Sequence, residues 1–332
     1  MSFFKRIAPA LTLMAMAPLL TEVLPGATRF SSIFVFPIEM CVWGGGCLLI
    51  RTAVRKWQLG WVNMLLLAIA LAIAEECLIQ QTSLAPMVIR LKGVTYARSF
   101  GVNYVYFLWA LIYEPVFVVF LPVYLVELIF PDRKHETWLS KAGLIVVCIF
   151  FVLGAYLAWF SWTQIARPKV FHIPAYNPPL VAVIIAVVVM VVLIFTSLSL
   201  LKSKHTASVP LKPWTPWLLG IAGALWAVAL YGIVVLAFGD FPDFPPAAAL
   251  GIGVLLILIA LLLVPRFTDD LRWNSNYEYG LIYGIMIGSM LIGFLGFWGQ
   301  ANADLYFKII VNIIAIVWMI PLGLKVKRRL TV

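Results

Sequence analysis

The chain is poor in the residues that build soluble sites. Only 11% of its 332 residues are charged, only 3 are histidine and only 4 are cysteine. The histidines, His135, His172 and His205, fall between apolar runs, and Cys41, Cys47, Cys77 and Cys148 fall within them without CxxC spacing. A histidine-ligated metal inside the apolar segments and a disulfide framework are both disfavoured, and buried thiols are expected. Acidic residues are also scarce, 14 against 24 Lys and Arg. The basic excess lies in short segments between apolar runs rather than along one face or tail, which argues for membrane topology and against a nucleic-acid partner. The triple glycine Gly44–Gly46 has no GxGxxG or GxxxxGK[ST] context and reads as close helix packing or a local break.

What is abundant is apolar surface. Hydrophobic residues make up 64% of the chain and mean hydropathy is +1.03, too much for one soluble core, so lipid is the expected solvent. Runs of about 20 apolar residues predict an all-α chain with ten spans, near 8–25, 31–50, 60–81, 102–129, 139–161, 179–201, 215–238, 246–264, 279–298 and 305–324. With that count, 17 of the 24 basic residues fall on one side, which places both termini in the cytoplasm of a multi-pass inner (plasma) membrane protein. Segments 51–56 and 202–212 are then cytoplasmic, and 86–98 and 240–245 face outward. The first run could be a secretory signal behind Lys5 and Arg6. Pro18 follows the small-residue pair Ala15 and Ala17, and a retained helix is expected. Trp57, Trp61, Trp138, Trp159, Trp162, Trp214, Trp217, Trp273 and Trp298 lie near span ends, as interfacial anchors do.

Charge within the spans is one-sided. Glu22, Glu39, Glu75, Glu76, Glu114 and Glu127 all lie in or at the ends of the first four spans, and no Lys or Arg is expected deep in any span. An ionisable group at mid-membrane costs roughly 2.5–3.5 kcal/mol, so several of one sign imply a shared purpose. This divides the chain into an N-terminal four-helix unit, 1–135, and an apolar six-helix unit, 136–332. Glu127, at the inner end of its span, reads as a snorkelling or water-exposed group. The other five glutamates are expected around one outward-facing cavity. Ala68, Ala72, Glu76 and Gln80 recur every four residues, and Asn103 shares a helix face with Glu114. Pro115 and Pro122 should free carbonyls beside Glu114. A proton, cation or small cationic solute bound by Glu22, Glu39, Glu75, Glu76, Gln80, Asn103 and Glu114 is the expected ligand. Arg90, Lys92 and Arg98 in the following loop form a lid over the glutamates or bind lipid headgroups.

"EECLIQQ" followed by "FLWALIYEPVF" resembles the CAAX-prenyl protease and bacteriocin-processing family of glutamate intramembrane proteases, over residues 60–125. That resemblance implies Glu75, Glu76 and Glu114 as catalytic residues, with Glu114 where the family's first histidine stands. Gln80 replaces the family's arginine, Ala110 its phenylalanine, and the last histidine has no counterpart. An ionised glutamate only accepts hydrogen bonds, so the donor that stabilises an oxyanion is missing. Ten spans in this length also resemble the layout of the drug/metabolite transporter superfamily, although the last six spans contain no acidic residue to match the first half. Transport, a protease-like activity and a non-catalytic membrane scaffold all remain open on the sequence.

Overall fold

The computed structural model describes residues 3–86, 96–200, 209–237, 243–299 and 301–330. Arg90 and Lys92 of the expected lid lie outside the described residues, as do Lys202, Lys204, His205 and Asp240. Among the described residues ten helices are long and apolar enough to cross a membrane: α1 Lys5–Val23, α2 Phe30–Lys56, α3 Trp61–Ile79, α4 Tyr104–Ile129, α5 Lys141–Val170, α6 Leu180–Ser199, α7 Pro216–Val234, α8 Pro246–Thr268, α9 Ser275–Phe297 and α10 Ala303–Arg329. This is the architecture of a multi-pass membrane protein. Among the described residues the strands are the two-residue pair β1, Arg98–Ser99, and β2, Val102–Asn103, joined through Phe100 and Gly101. Both of those turn residues have positive φ, the backbone twist that a two-residue hairpin loop requires.

α4 is the hub. It is the most buried span, and its two faces contribute to separate apolar cores. One core joins it to α1, α2 and α3, and the other to α7, α8, α9 and α10. Small residues allow the closest approaches. Gly44, Gly45 and Gly46 point successively at Met14 of α1, Phe151 of α5 and Leu71 of α3, because consecutive helical residues are about 100° apart. The three glycines thus let three neighbours approach one short stretch of α2. Gly284 and Gly288, together with Gly280, sit against Gly220, Ala224 and Pro216 on α7, where a Cβ would strike backbone atoms. This small-xxx-small arrangement holds α9 against α7.

The basic end of the bundle is closed by a network of charges. Arg51, 1% exposed, donates to Glu127 at 3.0 Å and to the carbonyls of Lys134 and Glu136. Arg55 adds two contacts of 2.7 Å to the same carboxylate. Trp138 covers the Arg51 guanidinium at 3.1 Å, and its indole N–H donates to the Arg133 carbonyl. Arg133 donates in turn to the carbonyls of Lys5 and Arg6, and Arg329 to that of Leu128. Both ends of the described chain therefore meet one segment, on one face.

Several expectations change here. Glu127 is buried and doubly ion-paired rather than snorkelling. Trp138 is buried and serves the arginine rather than the interface. Arg51 and Lys308 are buried cations within spans, contrary to the expected absence. Glu278 lies in the first turn of α9, in electrostatic range of Glu127, Lys134 and Arg55, rather than in a loop. Cys148 is exposed, since α5 turns most of its apolar surface outward. α5 also runs past its expected end, through Pro168, as a wider π-helical stretch, Phe160–Val170.

Removing one partner of a buried ion pair strands the other, at a cost of roughly 3–5 kcal/mol. Glu127→Ala, which leaves Arg51 in place, should lower the unfolding midpoint in detergent clearly. Glu136→Ala removes only an exposed pair with Arg133 and should shift it little. Equal midpoints for the two variants would remove the structural role assigned to Glu127.

Candidate functional site: buried glutamates at π-helical turns

Each of the five glutamates other than Glu127 that were expected to cluster sits in or beside a π-helical turn. Glu22 lies in Leu19–Val23, Glu75 and Glu76 open Glu75–Ile79, Glu39 immediately precedes Met40–Gly44, and Glu114 immediately precedes Pro115–Phe120. Pro18, Pro37 and Pro115 stand at or up to three residues before three of these turns. A proline removes a helical donor and crowds the preceding turn, and a wider turn relieves this. π turns also occur without acids in α5 and α6, so they mark helix geometry before they mark chemistry.

Electrostatically the five form one group. The charges acting on Glu114 are Glu75, Glu76 and Glu22, with Cys77; those acting on Glu75 are Glu76, Glu22 and Glu39; Glu39 also acts on Glu22. Glu39, Glu75, Glu76 and Glu114 are buried, and Glu22 is partly buried. Their hydrogen bonding is uneven. Glu76 Oε2 accepts from Ser83 N at 2.9 Å and Ser83 Oγ at 2.5 Å, and Glu39 Oε1 accepts from the Thr28 hydroxyl. Oε2 of Glu39, of Glu75 and of Glu114 is buried without a partner among the described residues.

The framework follows from the backbone. Pro25 has no N–H, so the carbonyl of Thr21, four residues earlier, loses its helical donor. Tyr113, next to Glu114, supplies the replacement by donating from its hydroxyl at 2.6 Å. Tyr231 of α7 donates to the Tyr113 hydroxyl at 2.9 Å, and Trp109, Tyr113 and Phe117 stack in sequence with Tyr231 edge-on to all three. The next free carbonyls of α1, Leu24 and Pro25, accept from the Lys308 ammonium at 2.8 and 3.0 Å, while Phe294 lies 4.5 Å beneath it. A cation at a helix C-terminus is favoured by the helix dipole. Lys308 is thereby explained without a carboxylate.

Not every expected residue joins the group. Gln80 follows the last helical residue of α3 and is only partly buried, because the wide turn breaks the four-residue repeat that placed it above Glu76. Gln81 is the buried glutamine, with φ 61°, its amide donating to the Leu78 carbonyl and its Oε1 buried without a partner. Asn103 is buried, but its side-chain oxygen caps α4 by accepting from Tyr106 N at 2.9 Å, and its N–H donates to the Ser83 carbonyl. Its primary role is to start the helix. Arg98 donates to the carbonyls of Leu84, Ala85 and Gly101 and so shapes the loop. Thr28, Ser83, Tyr113 and Tyr231 were not singled out from the sequence. Thr28 and Ser83, polar loop residues 11 and 7 positions from the glutamates they bond, carried a readable signal. Tyr231 carried none.

Among the described residues no three His, Cys, Asp or Glu side chains converge closely enough to hold one metal ion. Compared with protein-family models, with curated proteins and with solved structures, the chain gives no match in any of the three.

The tyrosine pair makes a graded prediction. Tyr231→Phe removes one neutral hydrogen bond, worth about 1 kcal/mol. Tyr113→Phe also strands the buried Thr21 carbonyl and should cost more, up to about 3 kcal/mol. Thermal unfolding in detergent micelles checks the order, and a larger loss in Tyr231→Phe would contradict the assigned donor.

Proposed function

We propose that the protein binds and translocates a proton, a cation or a small cationic solute across the inner (plasma) membrane through the glutamate group of α1–α4. The observation that carries this reading is that four buried carboxyls and a fifth, partly buried one act on one another, and three of them leave an oxygen without a protein partner. Structural acids elsewhere in the chain look different. Glu127 is saturated by two arginines, and Asp304 accepts from the Ser31 amide and hydroxyl. Intramembrane acids that a fold does not consume are characteristic of ion and proton pathways.

Orientation follows from the two faces. The ends of the described chain, Arg51, Arg55, Arg133 and Arg329 share one face, which the bias of positive charge places in the cytoplasm. The glutamates then lie toward the outside. The exposed residues Trp57 and Phe100 lie at opposite ends of α3 and its following loop. Cysteines introduced at 57 and 100, in a background without native thiols, should react with a membrane-impermeant maleimide from opposite sides. Labelling of both from one side would reject the topology.

A protease-like enzyme is the second reading. Its support is that Glu114 is in electrostatic range of Glu75 and Glu76, the juxtaposition that the resemblance implies. Uptake and cleavage assays on one set of proteoliposomes separate the readings. Transport predicts that Glu76→Gln and Glu114→Gln fold, since an amide keeps the size of a carboxyl, yet lose pH- or cation-dependent uptake at least tenfold. A hydrolase predicts loss of peptide cleavage in Glu75→Gln or Glu76→Gln and no flux in any form. Unchanged uptake and cleavage in Glu76→Gln would defeat both and leave a scaffold.

A further inference from the structure

The five glutamates are not equivalent, and the difference identifies a ligand. Glu76 is tied through both the N–H and the hydroxyl of Ser83, in the loop that follows its own helix. Glu39 is tied to Thr28, in the loop that precedes its own. Glu22 is partly buried at the end of α1. Glu75 and Glu114 stand apart. They are 4% and 5% exposed, on neighbouring helices, and Oε2 of each has neither a protein partner nor surface that a water-sized sphere can reach. Of the charges acting on Glu114, Glu75 is the strongest.

These facts restrict what the pair can hold. An unpartnered carboxylate oxygen in a dry interior is costly, and two carboxylates within electrostatic range of one another raise that cost further. Among the described residues, no basic side chain is among the groups acting on either. Those groups are Glu22 from α1, Glu39 from α2, Glu76 and Cys77 from α3. Tyr106 and Tyr113 of α4 interact with the same carboxyls, and Tyr231 of α7 with Glu22. An organic cation needs open surface against the carboxyls, and a metal ion needs several converging ligands. A proton needs neither.

Resting on the transport reading above, we propose that Glu75 and Glu114 form a proton-holding pair between α3 and α4, and that the proton is the ligand of the site. The step is a transfer between carboxyl oxygens. The O–H bond of one breaks as that of the other forms, and nothing is oxidised or reduced. Glu76 and Glu39 act as positioning residues, each tying its own helix to a neighbouring loop residue, Ser83 and Thr28.

Infrared difference spectroscopy of the full chain in phosphatidylcholine–phosphatidylglycerol vesicles, titrated with pH in H2O and D2O, reads the pair directly. A shared proton appears as a protonated-carboxyl C=O band that shifts on deuteration. The band should change in frequency and titration midpoint in Glu75→Gln and also in Glu114→Gln, because each leaves one carboxyl to titrate alone, and should be lost only in the double variant. Separate bands, each removed by its own substitution, would overturn the proposal, as would a wild-type spectrum without such a band. Should a Gln variant fail gel filtration, Glu75→Asp and Glu114→Asp replace it. Each keeps the carboxyl but shortens its reach, and each should shift the band rather than leave it unchanged. The spectrum does not depend on flux. A shared band in a protein that moves no protons defeats the transport reading and keeps the pair; uptake of a cation without the band defeats the pair and keeps transport.

Discussion

Lipid offers no hydrogen bonds, so every charge and every free carbonyl that this chain carries into its spans has to find its partner within the protein. Most of the polar architecture follows from that constraint. Pro25 strands the Thr21 carbonyl, and Tyr113 donates to it. The end of α1 strands the carbonyls of Leu24 and Pro25, and Lys308 reaches across from α10 to cap them. Arg167, buried at the end of α5, donates to the carbonyls of Pro86 and Pro174. Each of these three contacts repairs a local break in a helix or a loop. The breaks therefore decide which helices must be neighbours, and α4, which supplies Tyr113, becomes the hub.

The same constraint gives the exceptions their meaning. Where evolution of a fold can supply a partner as distant as α10 for the end of α1, an oxygen without one is not a matter of missing reach. Glu127 shows what a purely structural acid looks like in this protein, with two arginines on one carboxylate. Glu75 and Glu114 have the same burial and none of that compensation. Asn312 of α10 is the comparable case among uncharged groups, buried with both amide atoms unpartnered. An unsatisfied amide costs far less than an unsatisfied charge, so the carboxyls weigh more in any account of function.

The spans were legible in the sequence because one property, apolar length, determines them. Their number and approximate positions follow from hydropathy alone. The convergence of Glu22, Glu39, Glu75, Glu76 and Glu114 was also legible, since alternating direction fixes the depth of each residue once the spans are counted. Finer placement failed wherever the helix departs from 3.6 residues per turn. Gln80 and Gln81 exchanged burial across one π turn, and Asn103 became a cap because α4 begins immediately after it. Lys308 was not expected buried within a span because its partners are backbone carbonyls, which no pattern of side chains announces. Cys148 was read as buried because apolarity predicts burial in water, whereas in a membrane it predicts lipid contact.

The two ends of α2 and α4 carry opposite electrostatic characters, and this shapes what any transport through them must do. Glu39 and Arg51 share α2, and Glu114 and Glu127 share α4 about 20 Å apart. At one end Glu39 of α2 acts on Glu75 of α3, and Glu75 acts on Glu114 of α4; at the other, α2 and α4 are drawn together by Arg51 and Arg55 on Glu127, with Trp138 covering the arginine. Repulsion around Glu75 at one end and attraction at the other favour helices that part on the glutamate side and stay closed on the basic side. Protonation weakens the repulsion and leaves the ion pairs intact, so it acts on the glutamate end alone. A site loaded from the outside would thus close over its own ligand. On the transport reading, release to the other face would require the Arg51–Glu127–Arg55 cluster to part.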